Sequence, residues 1–289
     1  MKRIGIWCLT LLLALSLCGC DLTVDDLMNQ LGITTTTTTP QPTAPPRETV
    51  RVLLKEGWTV TEMAAALEEH RVCAAADFLD AVQNGVYDYA FLADLPTDPQ
   101  RVYRLEGYLF PDTYEFYVDS DPETVVSRLL RNFEKRIADL LPLLEEKGVT
   151  LDEAVIFASL IQGEADTVAN MQKVSRVLHN RLTPYSGFSK LQLCSTRDYI
   201  NGVLKEGDYA DAEALRQAYN TYLCKGLPVG AINNPGLDAL RAALNPSEDP
   251  EILQCYYFAT DYKTKTTYFA KTYAEHRRNV EKYGITDIG

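Results

Sequence analysis

Histidine is scarce in this chain. His70, His179 and His276 are the only three among 289 residues, and they are scattered, so a metal centre built on imidazole is not expected. The seven cysteines follow no zinc-binding spacing. A glycine-rich phosphate loop and a G-x-S-x-G elbow are both missing, which removes two common signatures of nucleotide binding and serine hydrolysis. No cofactor is therefore expected. Positive charge is also short: the net charge is −12, and an acidic body argues against nucleic acid or anionic lipid as a partner. The N-terminal apolar run, residues 4–17, is shorter than the roughly 20 residues that span a bilayer comfortably.

Lys2 and Arg3 precede that run, and Cys18, Gly19 and Cys20 come after it, the layout of an export signal at residues 1–20. Leu17, Cys18, Gly19 and Cys20 resemble a bacterial lipobox with Cys20 as the lipidated residue. Cys18 is unusual in such a box, so an uncleaved membrane anchor is the other reading. Both place the rest of the chain outside the cytoplasm, on the outer face of the cell membrane. Residues 21–48 include the threonines from Thr34 to Thr39 and the prolines Pro40, Pro42, Pro45 and Pro46. Too little of this segment is apolar to build a core, and it reads as an extended tether. The remaining length suffices for a small module, residues 49–99, and a larger domain, residues 100–289.

In the first module, residues 50–54 suit a strand, Gly57 a turn, and Thr59 with Glu62 a capping box opening a helix that buries Met63, Ala66 and Leu67. A second short helix is expected over residues 75–83, buried through Phe78, Leu79 and Val82. Such a strand–helix–helix unit is either a sugar-binding module or a plain support. Residues 105–116 are aromatic-rich and broken by Gly107 and Pro111, as in a buried strand and turn or a carbohydrate-facing surface. Asp121 and Pro122 start a long helix with an apolar stripe at Val125, Leu129, Phe133, Ile137 and Leu140, which Pro142 kinks or ends. A helix over residues 169–182 buries Met171, Val174, Leu178 and Leu182. Residues 183–236 read as a long turn-rich stretch with one helix at 212–219, and Asn234 with Pro235 as the cap and first turn of a helix through Leu244. A hairpin, residues 254–260 and 266–270, and a helix capped by Thr272 and Glu275 close the chain. The class is α+β.

One residue breaks the pattern in a chemically informative way. The helix begun by Thr150 and Glu153 is apolar almost all round from Val155 to Ile161, as in a buried helix. Glu164 then falls on the face of Phe157, Leu160 and Ile161. A carboxyl group there loses solvation, which favours its neutral form and suits it to act as a general acid near neutral pH. The plainer reading is a glutamate at a fraying helix end that reaches water, since Gly163 weakens the helix there.

Five segments together resemble the MltG-type endolytic murein transglycosylases, the YceG-like family: residues 105–116, residues 158–182, Tyr219–Tyr222 with Gly226–Pro228, residues 234–246, and residues 271–283 with Glu275, His276 and Asn279. The resemblance runs from about Val50 to Tyr283. It implies a LysM-like module ahead of a mixed α+β catalytic domain. It also implies a membrane-held lytic transglycosylase that cuts nascent peptidoglycan strands internally at the MurNAc–GlcNAc bond, leaves 1,6-anhydro-MurNAc ends, ends strand elongation and works beside peptidoglycan synthases. The family often carries two glutamates in the catalytic segment; here the first position is Gln162, so Glu164 is the candidate acid. One carboxyl suffices, because the sugar's own C6 hydroxyl is the nucleophile, whereas hydrolysis usually needs two.

By the same resemblance the substrate groove takes Gln192, Ser195, Thr196 and Tyr199 from one loop, Asn220 and Tyr222 from another, and Asn234 and Glu106, the last as an orienting group. Gln192, Thr196 and Tyr199 match the family's loop, and Cys194 and Ser195 depart from it. For Gln192, Thr196, Asn220 and Tyr222 the competing reading is a brace within the loops rather than a sugar contact. Cys194 and Cys224 fall in loops the resemblance places around one cleft, in an oxidising compartment, so a disulfide between them is expected beside the alternative of two separate thiols. A catalytically inactive peptidoglycan-binding lipoprotein and a structural scaffold are the competing functions; both leave Glu164 or the polar loop residues without a role.

Overall fold

A computed structural model describes residues 47–285 apart from Tyr185, Asp208 and Tyr262. The export signal, Cys20 and nearly all of the tether lie outside the described residues. The fold is mixed α+β, mostly helical, with two small antiparallel sheets. Among the described residues no helix is long and apolar enough to cross a membrane.

Strand β1 (Thr49–Leu53) leads through Gly57, whose φ of +80° only glycine adopts cheaply, into α1 (Val60–Glu69). The Thr59–Glu62 capping box is formed at its start. Helix α2 (Ala75–Asn84) buries Phe78, Ala81 and Val82, while Leu79 is only half-buried. The strand that completes this unit is β2 (Thr113–Tyr117), paired with β1 from Thr49 opposite Tyr117 to Leu53 opposite Thr113. The first unit is therefore strand–helix–helix–strand and reaches beyond residue 99. Its core is continuous with that of the rest, and the described residues form a single compact unit.

Helix α3 (Pro122–Ile137) has the expected stripe inside, and the chain breaks over Ala138–Leu140 before α4 (Leu141–Lys147), with Pro142 in the first turn of the new helix. Central to the fold is α5 (Leu151–Glu164), buried without interruption from Ala154 to Ile161 and packed against α6 (Val168–Leu182) and α9 (Leu237–Leu244). On α6 the inward residue of the last turn is Arg181, 7% exposed, rather than the expected Leu182, 38% exposed.

Two elements differ from expectation. The stretch after α6 contains α7 (Cys194–Glu206) as well as α8 (Ala212–Tyr219). Helix α7 opens without a capping side chain, at Leu193, so its start carries no sequence signature. Helix α9 starts two residues late, with Gly236 at its N-cap, because the Asn234 side chain is used elsewhere. Its amide oxygen accepts from the Gly107 and Leu109 N–H groups at 2.9 and 3.0 Å, and its amide nitrogen donates to the Trp58 carbonyl and to Glu106. Strands β3 (Tyr257–Asp261) and β4 (Thr266–Ala270) form the hairpin, and α10 (Tyr273–Tyr283) starts at the Thr272–Glu275 capping box.

Candidate active site

Glu164 is the last residue of α5 and points into an open cleft of about 330 Å³. Several influences converge on its carboxyl. Burial pushes its pKa up, and the nearby charge of Asp198 adds to this; hydrogen bonds from Ser195 and the guanidinium of Arg181 oppose it without cancelling it. The negative end of the α5 dipole also disfavours an anion at this position. The balance favours the carboxylic acid over its anion relative to an ordinary glutamate, next to groups that steady the carboxylate once the proton leaves.

Ser195 supplies the first of those groups. It stands in the opening turn of α7, where its hydroxyl donates to Glu164 Oε1 at 2.7 Å and its backbone N–H faces the same oxygen at 3.4 Å. The first N–H groups of a helix have no partner within it, so the start of α7 is suited to hold a carboxylate. Gly163 allows this approach: a Cβ there would lie 3.0 Å from Ser195 Cβ. Arg181 is the second group. Its Nε donates to the Tyr256 carbonyl at 2.7 Å, Nη1 donates to the Leu191 carbonyl, and the guanidinium lies 5.4–5.9 Å from the ring centres of Phe188, Tyr257 and Phe258. Burial lowers its pKa to about 10, which leaves it cationic at neutral pH.

Of the residues singled out in the sequence, Glu164, Gln192, Cys194, Ser195 and Tyr222 share this cleft. Gln192 is exposed and has a φ of +54°, a left-handed conformation uncommon outside glycine and often found at functional sites. Thr196 does not reach the cleft. It is fully buried, donates to the Leu193 carbonyl, shares a hydrogen bond with the Thr221 hydroxyl and accepts from the Thr221 N–H, a brace between two loops. Asn220 closes α8 and accepts from the Tyr222 N–H at 3.0 Å, which sets the turn carrying Tyr222.

Glu106, Tyr199 and Asn234 meet elsewhere, in the interior. Glu106, 2% exposed, accepts from the Val60 N–H at the start of α1, from Asn234 Nδ2 at 2.8 Å and from the Tyr199 hydroxyl at 3.4 Å. Burial pushes its pKa up to about 8. This network joins the first unit to α7 and to the segment before α9. Gln162 also serves structure: its side-chain oxygen accepts from the Gly236 N–H at 3.0 Å.

Cys194 and Cys224 are both free thiols, so the expected disulfide is not formed; the Cys194 sulfur lies 3.5 Å from the Tyr222 hydroxyl instead. Asp166, two residues beyond Glu164, turns away to pair with Lys265 in the β3–β4 turn at 3.1 Å.

The sequence pattern did not single out Arg181, Asp198, Tyr257 or Tyr273 as groups of the cleft, and it marked His276 only as part of a terminal helix. For Arg181 the signal was available. It continues the stripe of Met171, Val174 and Leu178 with a charged residue, the same irregularity that marks Glu164. The C-terminal wall comes from distant sequence, and only packing brings it to Glu164.

Residues 22–282 match the YceG-like family. The endolytic murein transglycosylase of Streptococcus pneumoniae D39 is 27% identical over 258 residues, which cover 82% of this chain and 46% of the relative. The enzyme of the same name from Bacillus subtilis 168 is 28% identical over 245 residues, 81% of this chain and 65% of the relative. This chain thus spans about half the length of the streptococcal relative it matches. A YceG-like protein of Listeria monocytogenes, known from a crystal structure, has the same fold: TM-score 0.67 at 24% identity, over 88% of this chain and 80% of that one.

Proposed function

Because this chain belongs to the YceG-like family, we propose that it is an endolytic lytic transglycosylase of peptidoglycan, with Glu164 as its acid and base. The carrying observation is the Glu164 site: a carboxyl whose pKa burial raises, open to a cleft, with Ser195 and Arg181 beside it to steady its anion.

In the reaction Glu164 protonates the glycosidic oxygen as the bond from the MurNAc C1 to that oxygen breaks. The C6 hydroxyl of the same sugar then closes on C1, and its proton passes to the Glu164 carboxylate, which restores the acid. No water is consumed. Ser195 occupies Oε1, which leaves Oε2 for the substrate, and Arg181 lowers the cost of the transient carboxylate. The nucleophile is tethered to the reacting carbon, so the entropy cost of capturing a second molecule is avoided.

The same reading assigns the tether and Cys20, or an uncleaved anchor, to holding the enzyme on the outer face of the membrane beside the synthases, where it ends strand elongation. The first unit, with its two strands and two helices, is assigned to glycan binding in the manner of a LysM-like module.

One observation favours a second reading, hydrolysis. Asp198 is another carboxylate on the cleft, and two carboxyls suit a glycoside hydrolase. It is 65% exposed and paired with Arg197 at 3.1 Å, which suits it poorly as a base. Incubating purified sacculi with the full chain in detergent and analysing the products by mass spectrometry separates the two. Anhydro-MurNAc ends are expected, and Asp198→Asn is expected to retain most of the activity. Reducing ends, with activity lost in Asp198→Asn, would establish the hydrolase.

A further inference from the structure

Besides the acid, the cleft is lined by aromatic rings from two elements that the proposed chemistry does not use. Tyr257 opens β3, and Tyr273 and His276 stand on α10. The last two are three residues apart and so share one helix face. The rings form one cluster: Tyr257 lies 5.6 Å from His276 at an interplanar angle of 26° and 5.9 Å from Tyr273, while Tyr273 lies 6.2 Å from His276. Phe188 backs Tyr257 edge-on at 5.5 Å. The capping box at Thr272 and Glu275 fixes the turn that carries Tyr273.

Three properties separate this cluster from ordinary core packing. Tyr273 is 60% exposed, a large ring left facing water beside the cleft. His276 Nδ1 is enclosed with no hydrogen-bond partner among the described residues, an uncommon state for a buried polar atom. Burial and the neighbouring charge of Arg181 keep its ring toward the neutral form, so the wall presents flat, uncharged faces. A second hollow, lined by the loop at Ser186–Lys190, continues from the cleft and shares Gln192 and Tyr257 with it. Tyr257 therefore stands where a chain longer than the catalytic pocket would pass.

We propose that Tyr257, Tyr273 and His276 form a saccharide subsite on which a pyranose ring of the strand stacks while a neighbouring bond is presented to Glu164. One face of a pyranose is made of C–H groups, and an aromatic ring buries that surface while the sugar hydroxyls stay hydrated. This inference rests on the proposed peptidoglycan substrate and adds which part of it is gripped: the sugar backbone rather than the peptide stem.

The test uses the full chain in detergent with Glu164→Gln, which stops turnover and leaves the wall intact, and a peptide-free GlcNAc–MurNAc oligosaccharide as probe in calorimetry. Adding Tyr273→Ala is expected to weaken binding about tenfold, near 1.4 kcal/mol, and Tyr273→Phe to restore it, because the ring face and not the hydroxyl makes the contact. In the active enzyme Tyr273→Ala is expected to raise KM more than it changes kcat. Unchanged affinity in Tyr273→Ala, a Phe variant as weak as Ala, or an effect confined to strands that still carry peptide stems would each overturn the subsite. Binding that depends on Tyr273 in a protein whose active form releases no cleaved product would sustain the subsite and overturn the reaction.

Discussion

The surroundings of Glu164 shift it toward the neutral acid, yet two neighbours are placed for the moment the proton leaves. This has consequences for rate and for pH. Glu164→Gln keeps shape and hydrogen bonding but has no proton to give, so anhydro-ended products should vanish from sacculus digests while the melting temperature stays close to that of the parent. The acid must begin protonated, and its pKa is raised; activity is therefore expected to hold through the range where an ordinary carboxyl has ionised and to fall as pH rises past the raised value. Ser195 is bonded to the ionised form and lowers that pKa. Ser195→Ala should shift the alkaline limb of the pH–rate profile to higher pH while lowering kcat, and an unmoved limb would argue against its role. Glu164 itself was legible in the sequence as a charge on an apolar face. Arg181 broke the same rule without standing out, since a long cationic side chain at a helix end ordinarily reaches water; here carbonyls and three rings enclose it.

At the scale of elements, the approach of α7 to the end of α5 builds the site, and Gly163 permits it. Alanine there would gain about 1 kcal/mol of helix propensity but push its Cβ against Ser195. Gly163→Ala is thus expected to melt within about 1 kcal/mol of the parent and to lose most of its kcat/KM, a separation that paired melting and kinetic measurements would reveal. Strong local signals made α1, α5 and α10 readable: each opens with a side chain that reaches back three residues, and all three capping boxes are formed. Helix α7 reads as loop because it has no cap and because its first three residues, Cys194 to Thr196, are small and polar. Asn234 and Pro235 carried a genuine helix-start signal, but four interior partners claimed the Asn234 side chain, and the helix began at the next available residue.

At the scale of the whole molecule, those partners matter most. Asn234→Ala would leave the buried Gly107 and Leu109 N–H groups and Glu106 Oε1 short of a partner, and at about 1–3 kcal/mol for each unsatisfied group a loss of roughly 3–5 kcal/mol is expected in denaturant unfolding. Glu106 makes the same junction sensitive to pH. The unfolded chain releases its proton near 4.5 and the folded chain near 8, so between those values the folded state binds more protons and stability falls as pH rises. Glu106→Gln is expected to flatten that part of the melting-temperature profile; a slope equal to that of the parent would count against it. The sequence suggests a boundary at residue 99, whereas the pairing of β1 with β2 is a contact between distant segments that no local pattern announces. The core shared across that boundary also constrains descent. A front unit joined to its neighbour by a buried carboxyl, a buried amide and a common apolar interior is not exchanged by recombination without exposing all three. New substrate preferences in this lineage are therefore expected to arise by substitution along the cleft loops, while the front unit is inherited with the catalytic helix as one piece.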